Sequence, residues 1–64
     1  MKTQHEVWEY LCEHGFGRSC MQFYVSNPNE VAKAFWNGVL CVLEAEGKVT
    51  HEDGMKIWEE VTNA

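Results

Sequence analysis

The chain has 64 residues, with ten Asp and Glu against five Lys and Arg, and a net charge of −5. That length permits one domain, residues 1–64. Its composition, 45 % hydrophobic and 23 % charged, excludes a disordered tail. The five cationic side chains, Lys2, Arg18, Lys33, Lys48 and Lys56, are scattered. Phosphate contacts dominate nucleic-acid affinity, so direct binding to DNA or RNA is not expected. The longest apolar run, 39–43, is far short of the ~20 residues that span a bilayer, so no membrane partner is expected either. Residues 1–6 lack the apolar core of a signal peptide, which points to the cytoplasm and reduced thiols.

The first predicted element is a helix at about 3–14. Thr3 caps it, with Glu6 three residues on in the manner of a capping box. Val7, Trp8, Tyr10, Leu11 and His14 fall on one face; His5, Glu6, Glu9 and Glu13 fall on the other. His14-Gly15 supplies the stop.

Residues 15–26 read ambiguously. Met21, Phe23 and Val25 alternate with Cys20, Gln22 and Tyr24, which suits a strand. Ser19 followed by Cys20, Met21, Phe23 and Tyr24 suits a short helical turn equally well. No second strand pattern exists to pair with, so an irregular or short helical connector is preferred, laying Phe16, Met21, Phe23 and Tyr24 on the core.

The central helix is predicted over 28–46. Asn27 is its expected N-cap, Pro28 its first residue, Glu30 its capping-box partner and Gly47 its left-handed terminator. Its sequence is apolar over most of the circumference. Only Glu30, Lys33, Asn37 and Glu44 form a polar strip. A helix so covered is normally buried on more than one side. The third helix, 51–62, is capped by Thr50, with Asp53 three residues on. Its expected apolar stripe is Gly54, Met55, Ile57, Trp58 and Val61.

These elements predict an all-α fold in which two amphipathic helices flank an almost fully apolar one. A domain of this size buries only ~60 % of its unfolded surface and usually needs a disulfide, a metal or a partner. Two neighbours leave part of the central helix wet, so homodimerisation is expected to complete its burial. The expected seam is Ala34, Phe35, Gly38 and Val42, with Gly38 allowing close approach of a second helix.

Chemistry-bearing residues are sparse. Cys12, His14 and Cys20 fall within nine residues and are zinc-ligand types, but their spacing matches no familiar zinc motif, so no metal or other cofactor is expected. Cys41, on the central helix, reads as a small core residue. No catalytic constellation stands out, and the chain is expected not to be an enzyme. Residues 44–54 lack the alternating oxygens of a calcium loop. A DNA-reading helix-turn-helix would turn Glu52, Asp53, Glu59 and Glu60 toward phosphate, the wrong sign. Trp8, Trp36 and Trp58 are expected to close the core, Trp36 being the exception because it borders the polar strip. Trp36 and Tyr24 are thus the aromatic candidates for binding a partner. Glu6, Glu9 and Glu13 are the acidic candidates, either as solvated charge or as a surface that mimics nucleic acid.

The stretch FWNGVLCVLEAEGKVTHEDGMKIWEEV, Phe35 to Val61, resembles the very short accessory proteins of the early regions of lambda-like phages, between the exonuclease and excisionase genes. The resemblance covers less than half the chain. It implies a small cytoplasmic, non-enzymatic protein that modulates a host factor or the choice between lytic and lysogenic growth. The alternative reading is an acidic decoy occupying a nucleic-acid site on a host or defence protein. The resemblance transfers no site residues. The three capped patterns together predict a circular dichroism spectrum dominated by helix; a spectrum dominated by strand contradicts the fold.

Overall fold

A computed structural model describes residues 1–15 and 29–63. They form three helices, α1 (Gln4–Glu13), α2 (Glu30–Ala45) and α3 (His51–Thr62), with no strand among the described residues. The connector expected to place Phe16, Met21, Phe23 and Tyr24 on the core lies outside them.

Each helix begins on a side-chain cap. Thr3 Oγ1 accepts from the Glu6 amide at 3.1 Å, and its hydroxyl donates to the Glu6 carboxylate at 3.2 Å. Thr50 Oγ1 accepts from the Asp53 amide at 3.1 Å. Both caps stand where the sequence puts them, and each satisfies one of the orphan amides of its first turn. The start of α2 corrects the expectation. Asn29, not Asn27, is the cap, its Oδ1 accepting from the Ala32 amide at 2.8 Å. The helix therefore opens at Glu30, and Pro28 precedes the cap instead of occupying the first helical position. Both asparagines are competent caps, and the amide three residues past Asn29 decides between them. Glu30 then sits in the first turn, 3.5 Å from Lys33 Nζ, and has no part in a capping box.

The far end of α2 closes as predicted. Gly47 has φ +76°, a conformation that strains any residue with a Cβ. Its amide donates to Glu44 O at 3.0 Å and the Lys48 amide donates to Leu43 O at 2.9 Å. This pair of bonds satisfies carbonyls that α2 would otherwise leave open. It also turns the chain sharply enough for Val49 to enter the core before Thr50 starts α3. Gly15, φ +86°, follows the end of α1, and its amide donates to Cys12 O at 3.3 Å.

The core is Val7, Trp8 and Leu11 of α1, Trp36, Leu40 and Leu43 of α2, Val49, and Ile57 and Val61 of α3. Its centre is Trp36, with no exposed surface. The Trp8 ring lies 6.5 Å away at 38°, and the Phe35 ring meets it edge-on at 5.8 Å. Trp36 is therefore not a surface aromatic, contrary to the sequence expectation. Ala32, Trp36, Leu40 and Leu43 make one stripe along α2, and the polar strip borders that stripe. Bordering the polar strip thus places a residue next to the core. The side facing away from α1 and α3 is the apolar one.

Two further expectations fail for the same angular reason. Cys41 is exposed, roughly 140° around α2 from Trp36 at 100° per residue. Met55 is 47 % exposed, because Ile57 and Val61 already supply the buried edge of α3 and Met55 lies on its far side. Replacing Trp36 with Ala should cost ~3–5 kcal/mol, comparable to the whole stability of a small domain. Met55→Ala should stay within ~0.5 kcal/mol. Urea unfolding followed by circular dichroism checks both; similar losses for the two would contradict this core.

Candidate interaction surface

The rotation set by Trp36 leaves α2 with an exposed apolar back. Val31 is 64 % exposed and Val42 is 57 % exposed. Ala34, Gly38, Cys41 and Ala45 are exposed beside them, and Phe35 is half-buried at the border. Going round α2 from the polar residues Glu30, Asn37 and Glu44, these seven side chains fill the whole outer arc without a charge. A Cβ added at Gly38 would have no heavy atom of the described residues within 4 Å, so packing among them does not require the glycine. It costs roughly 1 kcal/mol relative to Ala in a helix interior.

All four expected seam residues, Ala34, Phe35, Gly38 and Val42, thus lie on one continuous surface. Beside it runs a groove of about 280 Å³, walled by Tyr10 and His14 of α1 and by Val39, Val42 and Glu46 of α2. Sequence reasoning did not find this groove. Its signal is the i, i+4 spacing of Tyr10 and His14, the first half-buried and the second exposed at the end of α1. His14 Nδ1 donates to Tyr10 O at 2.8 Å and its ring stacks on the Tyr10 ring at 4.1 Å, which holds that wall upright. Lys48 Nζ lies 6.0 Å from the centre of the same Tyr10 ring. A second groove of about 220 Å³ lies between α2 and α3, bounded by Cys41, Met55 and Trp58. The His51 Nδ1 to Glu44 Oε1 bond at 2.8 Å lies at that groove.

The other candidates scatter. Tyr24 and Cys20 lie outside the described residues. Cys12 is exposed, and His14 is engaged with Tyr10. Among the described residues no three of His, Cys, Asp and Glu converge as a metal site. Glu6, Glu9 and Glu13 form an exposed line along α1. Glu6 accepts from Thr3, and Glu9 pairs with His5 at 2.8 Å, both members well exposed. Such pairs contribute little to stability. Among the described residues no helix is long and apolar enough to cross a membrane.

Comparison of the chain with protein-family models, with curated proteins and with solved structures finds no match in any of the three. The α2 surface offers apolar area and shape, with the exposed Cys41 thiol as its one reactive group among the described residues. A metal held by Cys12, His14 and Cys20 would couple folding to metal binding. The thermal midpoint should be unchanged in excess chelator; a drop of several degrees, restored by zinc, contradicts this reading.

Proposed function

We propose that this is a non-enzymatic protein-binding module that works through the back of α2, and that it forms a homodimer on that face. The observation that carries the reading is the exposure of Val31 and Val42 on an uncharged arc of α2. Burying an aliphatic side chain of that size contributes roughly 1.5–3 kcal/mol. Two such side chains per copy, with Phe35 at the border, are a large share of the ~5 kcal/mol available to a small domain. Two-fold pairing covers the same patch on both copies at once and is the commonest form of self-association. The likeness to early-region phage accessory proteins supports a regulatory role in a bacterial host, on a host factor or on the lytic–lysogenic choice, with the dimer as the acting unit.

A second reading draws on one specific feature. The Glu6, Glu9 and Glu13 line on α1 and the exposed Glu59 and Glu60 on α3 present acid away from the apolar surface. A basic nucleic-acid-binding protein would recognise that charge. The two readings use different faces, so charge reversal at Glu6, Glu9 and Glu13 separates them: it abolishes activity only under the second.

Gly38→Leu tests the first. Among the described residues the substitution meets open space and should raise helix stability by up to about 1 kcal/mol. At a helix crossing the same side chain holds the two backbones apart. Sedimentation equilibrium at micromolar concentration should show a wild-type dimer and a Gly38→Leu monomer that is at least as heat-stable per chain. A wild type that sediments at 7.4 kDa, or a variant that associates equally well, contradicts the reading.

A further inference from the structure

The groove between α2 and α3 differs in kind from the back of α2. Leu40 of α2 and Met55 and Trp58 of α3 supply its apolar walls. Glu44, from the last turn of α2, and His51, from the first turn of α3, supply a polar end. Trp58 is half-buried, packed against the core and open to the groove. The groove holds about 220 Å³. That is less than the ~300–1,000 Å³ of a pocket for a drug-sized ligand, so it suits one long side chain.

Its charge is not balanced. The Glu44 carboxylate accepts from His51 Nδ1 at 2.8 Å, and that imidazole is charged only when protonated. No lysine or arginine is among the described residues that line the groove. The cations of α2 and α3 are engaged elsewhere, Lys33 with Glu30 at 3.5 Å and Lys56 with Glu52 at 3.7 Å. The bond from His51 also holds the Glu44 carboxylate at the groove. Its second oxygen has no partner among the described residues.

These parts select among occupants. An apolar side chain would strip water from an ionised carboxylate and return no hydrogen bond. An acidic one would be repelled. A lysine ammonium answers the charge but is a compact, strongly hydrated point that makes little use of the walls. An arginine answers every part. Its stem lies along Leu40 and Met55, its flat head stacks on the Trp58 ring, and its N–H groups donate to Glu44.

We propose that the groove between α2 and α3 is an arginine site, taking one guanidinium side chain of a partner protein between Trp58 and Glu44. Arginine is among the residue types that dominate interface energies. The net charge of −5 favours approach of a basic partner segment. Val31 and Val42 lie on another side of α2, so the site stands whether or not that back pairs with a second copy.

N-acetyl-arginine methylamide is the probe. N-acetyl-lysine methylamide and N-acetyl-citrulline methylamide, the uncharged isostere, are its comparisons. Heteronuclear NMR of the labelled chain reads the Trp58 indole N–H. The arginine probe should shift that signal saturably, with a Kd of the order of 1 mM, while the Trp8 and Trp36 indoles in the core stay unmoved. The lysine and citrulline probes should bind at least about tenfold more weakly. Glu44→Gln keeps an acceptor for His51 and removes the charge, and should weaken the arginine probe by about tenfold or more. Glu30→Gln, on α2 but outside the groove, should leave it unaffected. Equal binding of citrulline overturns the proposal, because the ring then takes any planar group. So does equal binding of lysine, retained affinity in Glu44→Gln, or no saturable shift at Trp58. The comparison of the three probes uses the unaltered chain, so it decides the matter even where a variant fails to fold.

Discussion

The packing of Trp36 is the constraint on which the rest of this structure depends. It is the largest fully buried side chain, and all three helices contribute neighbours to the cluster around it. Once that indole points inward, the rotation of α2 about its own axis is set. Ala32, Leu40 and Leu43 follow it into the core because they recur at helical spacing on the same line. Everything roughly opposite must face out, whatever its polarity. Val31, Gly38, Cys41 and Val42 are exposed as a consequence of where Trp36 sits.

The ends of the helices are set more locally. Thr3, Asn29 and Thr50 each close a first turn with one oxygen, and Gly15 and Gly47 each end a helix with positive φ. The turn at Gly47 also fixes the approach of α3, since Lys48 is bonded back to Leu43 and Val49 enters the core beside it. Further contacts tie α1 and the N-terminus to this corner. The Met1 ammonium donates to Lys48 O at 3.4 Å, and Lys48 lies by the Tyr10 ring. The Gln4 side chain is buried, and its Nε2 has no hydrogen-bond partner among the described residues. That is a cost of the order of 1–3 kcal/mol for which the structure offers no return.

Features written in short range were legible in the sequence. The caps at Thr3 and Thr50, the stop at Gly47 and the span of α3 each depend on a few adjacent residues. Val7, Trp8 and Leu11 of α1 were legible too, but His14, expected on the same face, is exposed at the helix end, and Gln4 is buried in its place. The start of α2 was not legible, because two asparagines two residues apart are equally good caps. Trp36, Cys41 and Met55 were misplaced for a different reason. In a helix apolar nearly all round, periodicity carries no direction, and the polar strip of Glu30, Lys33, Asn37 and Glu44 was taken to mark the solvent side. It marks one border of the core. Ala34, Gly38 and Val42 stand on the exposed side of α2, as the sequence pattern around a mid-helix glycine suggests without knowledge of the helix orientation. The groove beside Tyr10 was missed because it arises between two helices.

The account stands on whether the back of α2 is covered by another copy of the chain. Thermal unfolding followed across a hundredfold range of protein concentration tests this most directly, since association that favours the folded chain makes stability depend on concentration. For a domain of this size the midpoint should rise by several degrees from the dilute to the concentrated end. A midpoint that does not move with concentration would show that the chain is stable with its apolar face in water, and would contradict the account.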